Sequence, residues 1–313
     1  MQKPINRRRF LTDTSLSAAG IMFGSNLAGG TSREESGISS YNLMQEVMKY
    51  RKIDAHDHVG LSGARSGPDA LQRQIDIADR LGIERLCISR PVTEEKGTPE
   101  EFREFNDVVM RAVKQYPDRF VGFFTLNPIY QKESLEEINR CVDMGMAGYK
   151  GYTQVKVNSP LYYPIIEKLI DLKMICFMHA ECELGAGGYR MKYDIKSRPD
   201  VTIPEDMVET AQRYPEAMFQ WAHIASGDFE YICKCIRDYP NIYVDISGSN
   251  NEEKQVDLCI EQLGEDRIFY GSDGSYYQSV GKILASNATE AQMKKIFFDN
   301  YNNMLRKGGH NVA

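Results

Sequence analysis

Histidine and tryptophan are scarce in this chain, five and one among 313 residues. With so few histidines, the place of each one carries information. Also missing is any G-x-G-x-x-G or P-loop sequence after a strand-like run, which leaves the nucleotide-binding form of an open α/β sheet without support. Positive charge is not in excess: 38 Lys and Arg stand against 44 Asp and Glu, for a net charge of -6 and a pI near 5.5. No broad basic field exists for nucleic acid or an anionic membrane, so a small molecule is the expected partner. Cysteine gives no disulfide frame. The seven thiols, Cys87, Cys141, Cys176, Cys182, Cys233, Cys235 and Cys259, are odd in number and scattered, mostly inside apolar patterns, as buried thiols are. In "CKC", Cys233 and Cys235 lie two apart in a helical stretch and so do not share a face, which argues against a metal pair there.

What the chain does have is a globular composition, 42% hydrophobic and 26% charged, enough for one large domain or two small ones. The first thirty residues differ from the rest. "NRRRFL" precedes a short apolar stretch over 16–24 and then "LAGGTS", which resembles a twin-arginine export signal with Arg7 and Arg8 as the pair. The apolar part is too short for a transmembrane helix, which needs roughly 20 residues, so no membrane contact is expected of the mature form. Export to the periplasm follows as an expectation, with cleavage near Ala28 to Thr31 although no clear A-x-A site is present. The expected division is a signal over 1–30, a linker and first helix over 31–48, a catalytic domain over 49–306 and a tail over 307–313.

From Lys49 onward, short apolar runs alternate with amphipathic ones. The strand-like runs are "KIDAHDHV", "RLCISRP", "FVGFFTLNP", "MAGYKGY", "MICFMHA", "MFQWAHI", "IYVDIS" and "RIFYGSD". Helical patterns between them include 70–81, 99–116, 135–144, 160–172, 204–214, 229–239 and 252–263. Strand then helix about eight times over ~250 residues predicts a single-domain (β/α)8 TIM barrel. A doubly wound open sheet is the alternative.

On that frame His56 and His58 end the first strand, His179 the fifth, His223 the sixth and Asp273 the eighth. Carboxyl ends of barrel strands form one rim, where active sites are built. Residues two apart on a strand point the same way, so His56 and His58 both aim into the mouth. A single strand-end histidine is more often packed than ligating; four of five on one rim is a different matter. Imidazole with carboxylate is a normal metal shell, and His56, His58, His179 and Asp273 supply it. His310, in a polar tail, is read as solvated surface.

"DAHDH", "MHAE", "WAHIASG" and "YGSDGSY", in this order, resemble the amidohydrolase superfamily, specifically its amidohydrolase-related branch of TIM-barrel hydrolases and decarboxylases. The late "IFFDNYNNML" is similar to that branch's terminal helix. The resemblance implies one divalent metal, zinc foremost, held by His56, His58, His179 and Asp273. It implies that Asp273 also takes a proton from water activated at the metal, and that His223 polarises the substrate carbonyl or orients the water. It further implies a homodimer. Lys150 stands where two-metal members carry a carboxylated lysine; here a single metal is expected, with Lys150 pairing to an anionic substrate group or lying at the surface beside a turn. Arg90 ends the second strand and can hold a carboxylate or form a plain salt bridge. The loop over 181–203 is the longest connection, and Tyr189 and Arg190 in it are candidates for substrate contact. Asp245 and Ser247 are expected either to orient a ligand or to cap their strand.

Two enzymatic readings share this ligand set. One is a metal-dependent hydrolase of a small lactone, ester or amide, and export tilts the expectation toward it. The alternative is a metal-dependent, non-oxidative decarboxylase of an aromatic or unsaturated acid. A catalytically silent barrel that binds a ligand is the third reading.

Overall fold

In the computed structural model, the described residues are 42–60, 67–92, 97–182, 200–250, 252 and 254–310. The export signal, most of the linker, Tyr189 and Arg190 lie outside them. Eight strands follow in turn: β1 Lys52–His58, β2 Ile83–Ser89, β3 Phe120–Phe124, β4 Gly148–Gly151, β5 Ile175–Met178, β6 Met218–Trp221, β7 Ile242–Asp245 and β8 Ile268–Phe269. Each pairs in parallel with the next, in sequence order from β1 to β8. The two ends of the sheet meet where Ala55 N–H donates to Tyr270 O at 2.9 Å and Asp273 N–H to His56 O at 2.7 Å. The result is a (β/α)8 TIM barrel.

Helices α1 Leu43–Met48, α2 Ala70–Leu81, α3 Pro99–Gln115, α4 Gln131–Asp143, α5 Tyr163–Asp171, α6 Pro204–Arg213, α7 Phe229–Ile236, α8 Gln255–Leu263, α9 Tyr276–Leu284, α10 Glu290–Lys294 and α11 Asn300–Lys307 complete it. Their ends have local causes. Thr98 caps α3 in a reciprocal box with Glu101, and Pro99 opens the helix where its missing N–H costs nothing. Gly82, at φ 65°, stops α2 with a left-handed turn. The pattern over 160–172 divides, since Pro160–Tyr162 is a 3-10 turn and α5 begins only at Tyr163. Between α10 and α11 the chain widens into a π-helical turn, Lys295–Asp299. Among the described residues no helix is long and apolar enough to cross a membrane.

Two apolar layers hold the barrel. One fills its lumen with Ile53, Ala55, Phe123, Phe177 and Phe269 and continues into Tyr301 and Leu305 of α11. The larger lies outside, between strands and helices, with Leu86, Phe102 and Ile165 among its members. Cys233 is buried and Cys235 half-buried, as expected for different helix faces, and all seven cysteines are free thiols.

Candidate metal centre

β1 is buried along its whole length, including three acidic or imidazole side chains beyond Asp54. Its pairing with β2 slips twice, first between Lys52 and Ile53 and again nearer the rim, where Asp54 to Asp57 on β1 runs against Leu86 to Ile88 on β2, so β1 carries one extra residue there. His56 Nε2 and His58 Nε2 end up facing each other at 3.2 Å. Asp273 Oδ1 lies 3.4 Å from His58 Nε2 and 3.9 Å from His56 Nε2. The three residues form a group whose donor atoms all fall within 4.8 Å of one another.

Each member is held from behind. His56 Nδ1 lies 3.2 Å from Asp245 Oδ2 and 3.2 Å from Ser247 Oγ. A carboxylate only accepts, so His56 Nδ1 carries the proton and Nε2 presents a lone pair. His58 Nδ1 bonds Ser89 Oγ at 2.9 Å, which leaves its Nε2 toward the group. Asp245 also accepts from His223 N–H at 3.0 Å and from Gln220 Nε2 at 3.0 Å, and Gln220 in turn accepts from Tyr301 Oη of α11 at 3.3 Å. Gly271 is required for this packing, because a Cβ there would stand 2.9 Å from Asp245 Cβ. Beneath, Asp54 Oδ1 accepts from His56 N–H and Ser272 N–H, tying β1 to the segment after β8. Burial, with Asp57 nearby, pushes the Asp54 carboxyl well up.

Asp273 and His223 both adopt positive φ, 47° and 40°. Such backbone strain, of order 1–3 kcal/mol, is tolerated better by Asp and His than by branched residues and gathers at functional sites. Burial alone would raise the Asp273 carboxyl, but His56, His58, His223 and Lys150 around it outweigh that and hold it well below the usual range. Burial drives His56 well down, with the nearby Lys150 charge acting in the same sense. Burial, then His179 and Lys150, takes His223 down to about 3. Both imidazoles are therefore neutral at pH 7.

The group fits a divalent ion. Donors around a tetrahedral ion at 2.0–2.1 Å are about 3.3 Å apart, close to the separations found here. His56 Nε2, which presents a lone pair, and the Asp273 carboxylate oxygen face each other at 3.9 Å, an arrangement that a cation between them relieves. His179 stands one ring removed. Its Nδ1 bonds His223 Nε2 at 2.9 Å and its Nε2 bonds Glu181 Oε1 at 2.8 Å.

Lys150 lies inside the barrel. It is 1% exposed, with Nζ 3.4 Å from His56 Nε2 and 3.5 Å above the Phe177 ring, and burial lowers its ammonium to about 7. That overturns the surface placement left open by the sequence. Arg90 lays its guanidinium over Phe105 of α3, 4.4 Å from the ring centre. Asp245 and Ser247 hold His56, and Asp245 Oδ1 also accepts from Ser247 N–H at the end of β7. Sequence reasoning gave no role to Ser89, Glu181 or Tyr152, whose ring lies 4.2 Å from that of His179. Glu181 had a signal in its spacing, two residues after His179, and Ser89 in its place at the end of β2.

The profile of the amidohydrolase family matches residues 53–300. Among solved structures, the 2,6-dihydroxybenzoate decarboxylase from Rhizobium is 18% identical with a TM-score of 0.63, covering 82% of this chain and 99% of that one. A 5-carboxyvanillate decarboxylase from Novosphingobium aromaticivorans, complexed with manganese, is 18% identical at 0.62, covering 83% and 97%. A 4-oxalomesaconate hydratase from Rhodopseudomonas palustris is 16% identical at 0.62, covering 82% and 96%. At these identities the structures show a shared fold. The profile match, spanning β1 to the start of α11, carries the assignment: this chain belongs to the amidohydrolase family of TIM-barrel enzymes.

Proposed function

We propose that the chain is a metal-dependent, non-oxidative decarboxylase of an aromatic or unsaturated carboxylic acid. The observation that carries this reading is Lys150, a lysine buried against the His56, His58 and Asp273 group and, among the described residues, without an ion pair. A substrate that brings its own carboxylate would restore and satisfy that charge; a neutral ester, lactone or amide would not. This reverses the sequence-based tilt toward hydrolysis. The two decarboxylases above, one of them complexed with manganese, support the same choice.

A divalent ion held by His56, His58 and Asp273 would supply positive charge and a template for anionic oxygen. His179 is the fourth ligand in this proposal, through Nδ1, which now shares a hydrogen bond with His223 Nε2. Two imidazoles and a carboxylate suit both zinc, foremost in the sequence resemblance, and manganese. Loss of carbon dioxide breaks a C–C bond and requires a proton at the carbon left behind. Asp273, a third exposed, and His223 beside it are the side chains placed to hold and deliver that proton. One observation favours the hydrolase reading instead, the Asp273 carboxylate kept ionised and so ready as a base. Export and a homodimer remain proposals that rest on the sequence resemblance.

Metal content of protein purified without chelator, followed by incubation with hydroxybenzoates, unsaturated acids and lactones, tests the proposal. About one metal per chain and carbon dioxide release is the expected result, lost by orders of magnitude in Asp273→Asn while circular dichroism stays unchanged. Water addition without carbon dioxide would transfer the assignment to the hydrolase reading. No metal even after loading would remove both.

A further inference from the structure

Along the chain α7 follows β6 and α8 follows β7, and the two helices are neighbours in the outer layer of the barrel. Cys233 of α7 and Cys259 of α8 meet between them, both 0% exposed, with their sulfurs 3.7 Å apart. Arg267 holds the helices at this spacing from their carboxyl ends. Its Nε donates to Leu263 O at 2.9 Å, at the last residue of α8. Its Nη1 donates to Tyr239 O at 2.6 Å and its Nη2 to Arg237 O at 3.0 Å, both just past α7. Cys259 lies one turn before Leu263, and Cys233 one turn before Arg237. The guanidinium therefore clamps the two turns beside the sulfurs.

We propose that Cys233 and Cys259 are a latent disulfide, closed when the chain folds in oxidising surroundings, which staples α7 to α8. In the structure both are free thiols. Closure asks the sulfurs to approach by about 1.7 Å, to a bond of about 2.0 Å. Helices already fixed by Arg267 keep the second sulfur in place while the first reacts.

The oxidant is a low-molecular-weight disulfide such as glutathione disulfide. One cysteine thiolate attacks it, forming a mixed disulfide and releasing one small thiolate; the other cysteine thiolate then attacks the protein-side sulfur and releases the second. Two cysteine thiols are oxidised, one small disulfide is reduced to two thiols, and the two cysteine protons end on these. In the folded protein the hydrogen bond with Cys233 and burial push the Cys259 thiol well up, and neither sulfur meets solvent. The exchange therefore belongs to folding, before the helices close over the pair. Cys235 is the competitor, half-buried and two residues along α7, on another face. Glutathione, not Cys259, is the partner open to it. The inference is independent of the metal site and of the proposed reaction.

The test takes full-length protein unfolded in guanidinium with reductant and refolds it in a glutathione redox buffer or in reductant alone. Free thiols are then blocked with iodoacetamide and tryptic peptides mapped by mass spectrometry without reduction. Trypsin cuts after Lys234, which parts Cys233 from Cys235 and tells the two apart. In the redox buffer, most molecules are expected to carry the Cys233 peptide joined to the Cys259 peptide, two hydrogens lighter than their sum. The joined protein should melt about 5–10 °C higher than the reduced one. Cys259→Ala should melt alike from both buffers. Alkylation of both Cys233 and Cys259 in the redox buffer overturns the proposal, as does a bridge from Cys259 to Cys235. A correctly bridged protein whose melting temperature does not rise overturns it too, since closure would then distort the packing. If Cys259→Ala does not fold, the wild-type map and its two melting curves decide. A wild type that does not refold is made instead by cell-free synthesis in the same two buffers and read by the same map.

Discussion

Among the described residues two lysines are buried, and their surroundings differ. Lys52, at the start of β1, is 0% exposed and its Nζ donates to Val47 O at 2.5 Å and Tyr50 O at 2.7 Å, with the Phe297 ring 5.0 Å away. Lys150, at the rim side of the lumen, has a histidine nitrogen at 3.4 Å and an aromatic face, and no carbonyl among the described residues. Burial lowers both, Lys52 to about 8 and Lys150 to about 7. The fold satisfies the first lysine by itself. The second is left with its hydrogen-bonding capacity largely unused, which is how a binding group differs from a structural one when both are hidden from water.

Replacing each lysine by methionine separates the two roles. Lys150→Met should have the largest effect: activity on the carboxylate substrate falls by about 10²–10³-fold, as when a charged partner of a substrate is lost, while thermal stability holds or rises slightly. A steady-state assay beside a melting curve checks this, and a Lys150→Met enzyme with unchanged kcat/KM would remove the lysine from substrate binding. Lys52→Met should show the reverse, full activity per folded molecule and a loss of about 2–4 kcal/mol, because two backbone carbonyls lose their donor. Denaturant titration measures that loss.

The smallest effect lies in the pH dependence. Each lysine has a folded value below its unfolded one, so between the two the unfolded chain binds more protons and stability rises with pH. The slope is about 1.4 kcal/mol per unit per proton. Unfolded cysteines, with values near 8.5, ionise across the same range and oppose the trend, so the comparison of wild type with Lys150→Met from about pH 7 to 8.5 is what isolates the lysine. Across this window metal-free wild type should gain about 1.5 kcal/mol relative to Lys150→Met, and an identical slope in both would contradict the burial of Lys150.

The contrast between the lysines also shows what the sequence could and could not tell. The strand-end placement of His56, His58 and Asp273 was readable, because spacing on a strand and order along a barrel are properties of sequence. So was the span of α2, bounded by an amphipathic repeat and Gly82. The side to which Lys150 points was not readable from "GYKGY" alone. Its burial depends on Gly148, where a Cβ would meet the Phe123 ring at 2.3 Å, and on Gly151, where one would meet Met178 Sδ at 2.5 Å. Those close approaches join residues from neighbouring strands and leave no periodic trace. Likewise the slip in β1 between Asp54 and Asp57 follows from closing the barrel, and no propensity marks it. Arg90 shares the rim with the histidines, yet the aromatic face of Phe105 on α3 takes its guanidinium, a contact decided by packing between distant segments.

The thread from Tyr301 through Gln220 and Asp245 to His56 carries a consequence for how the molecule comes into being. During synthesis the amino end leaves the ribosome first. The first histidine of the donor group is therefore made well before Asp273, and the side chain at the far end of its support emerges later still. A growing chain holds its imidazoles long before it can hold them still. The centre matures only once α11 has emerged, so an ion captured earlier would meet a loose pair of histidines in place of the finished cage.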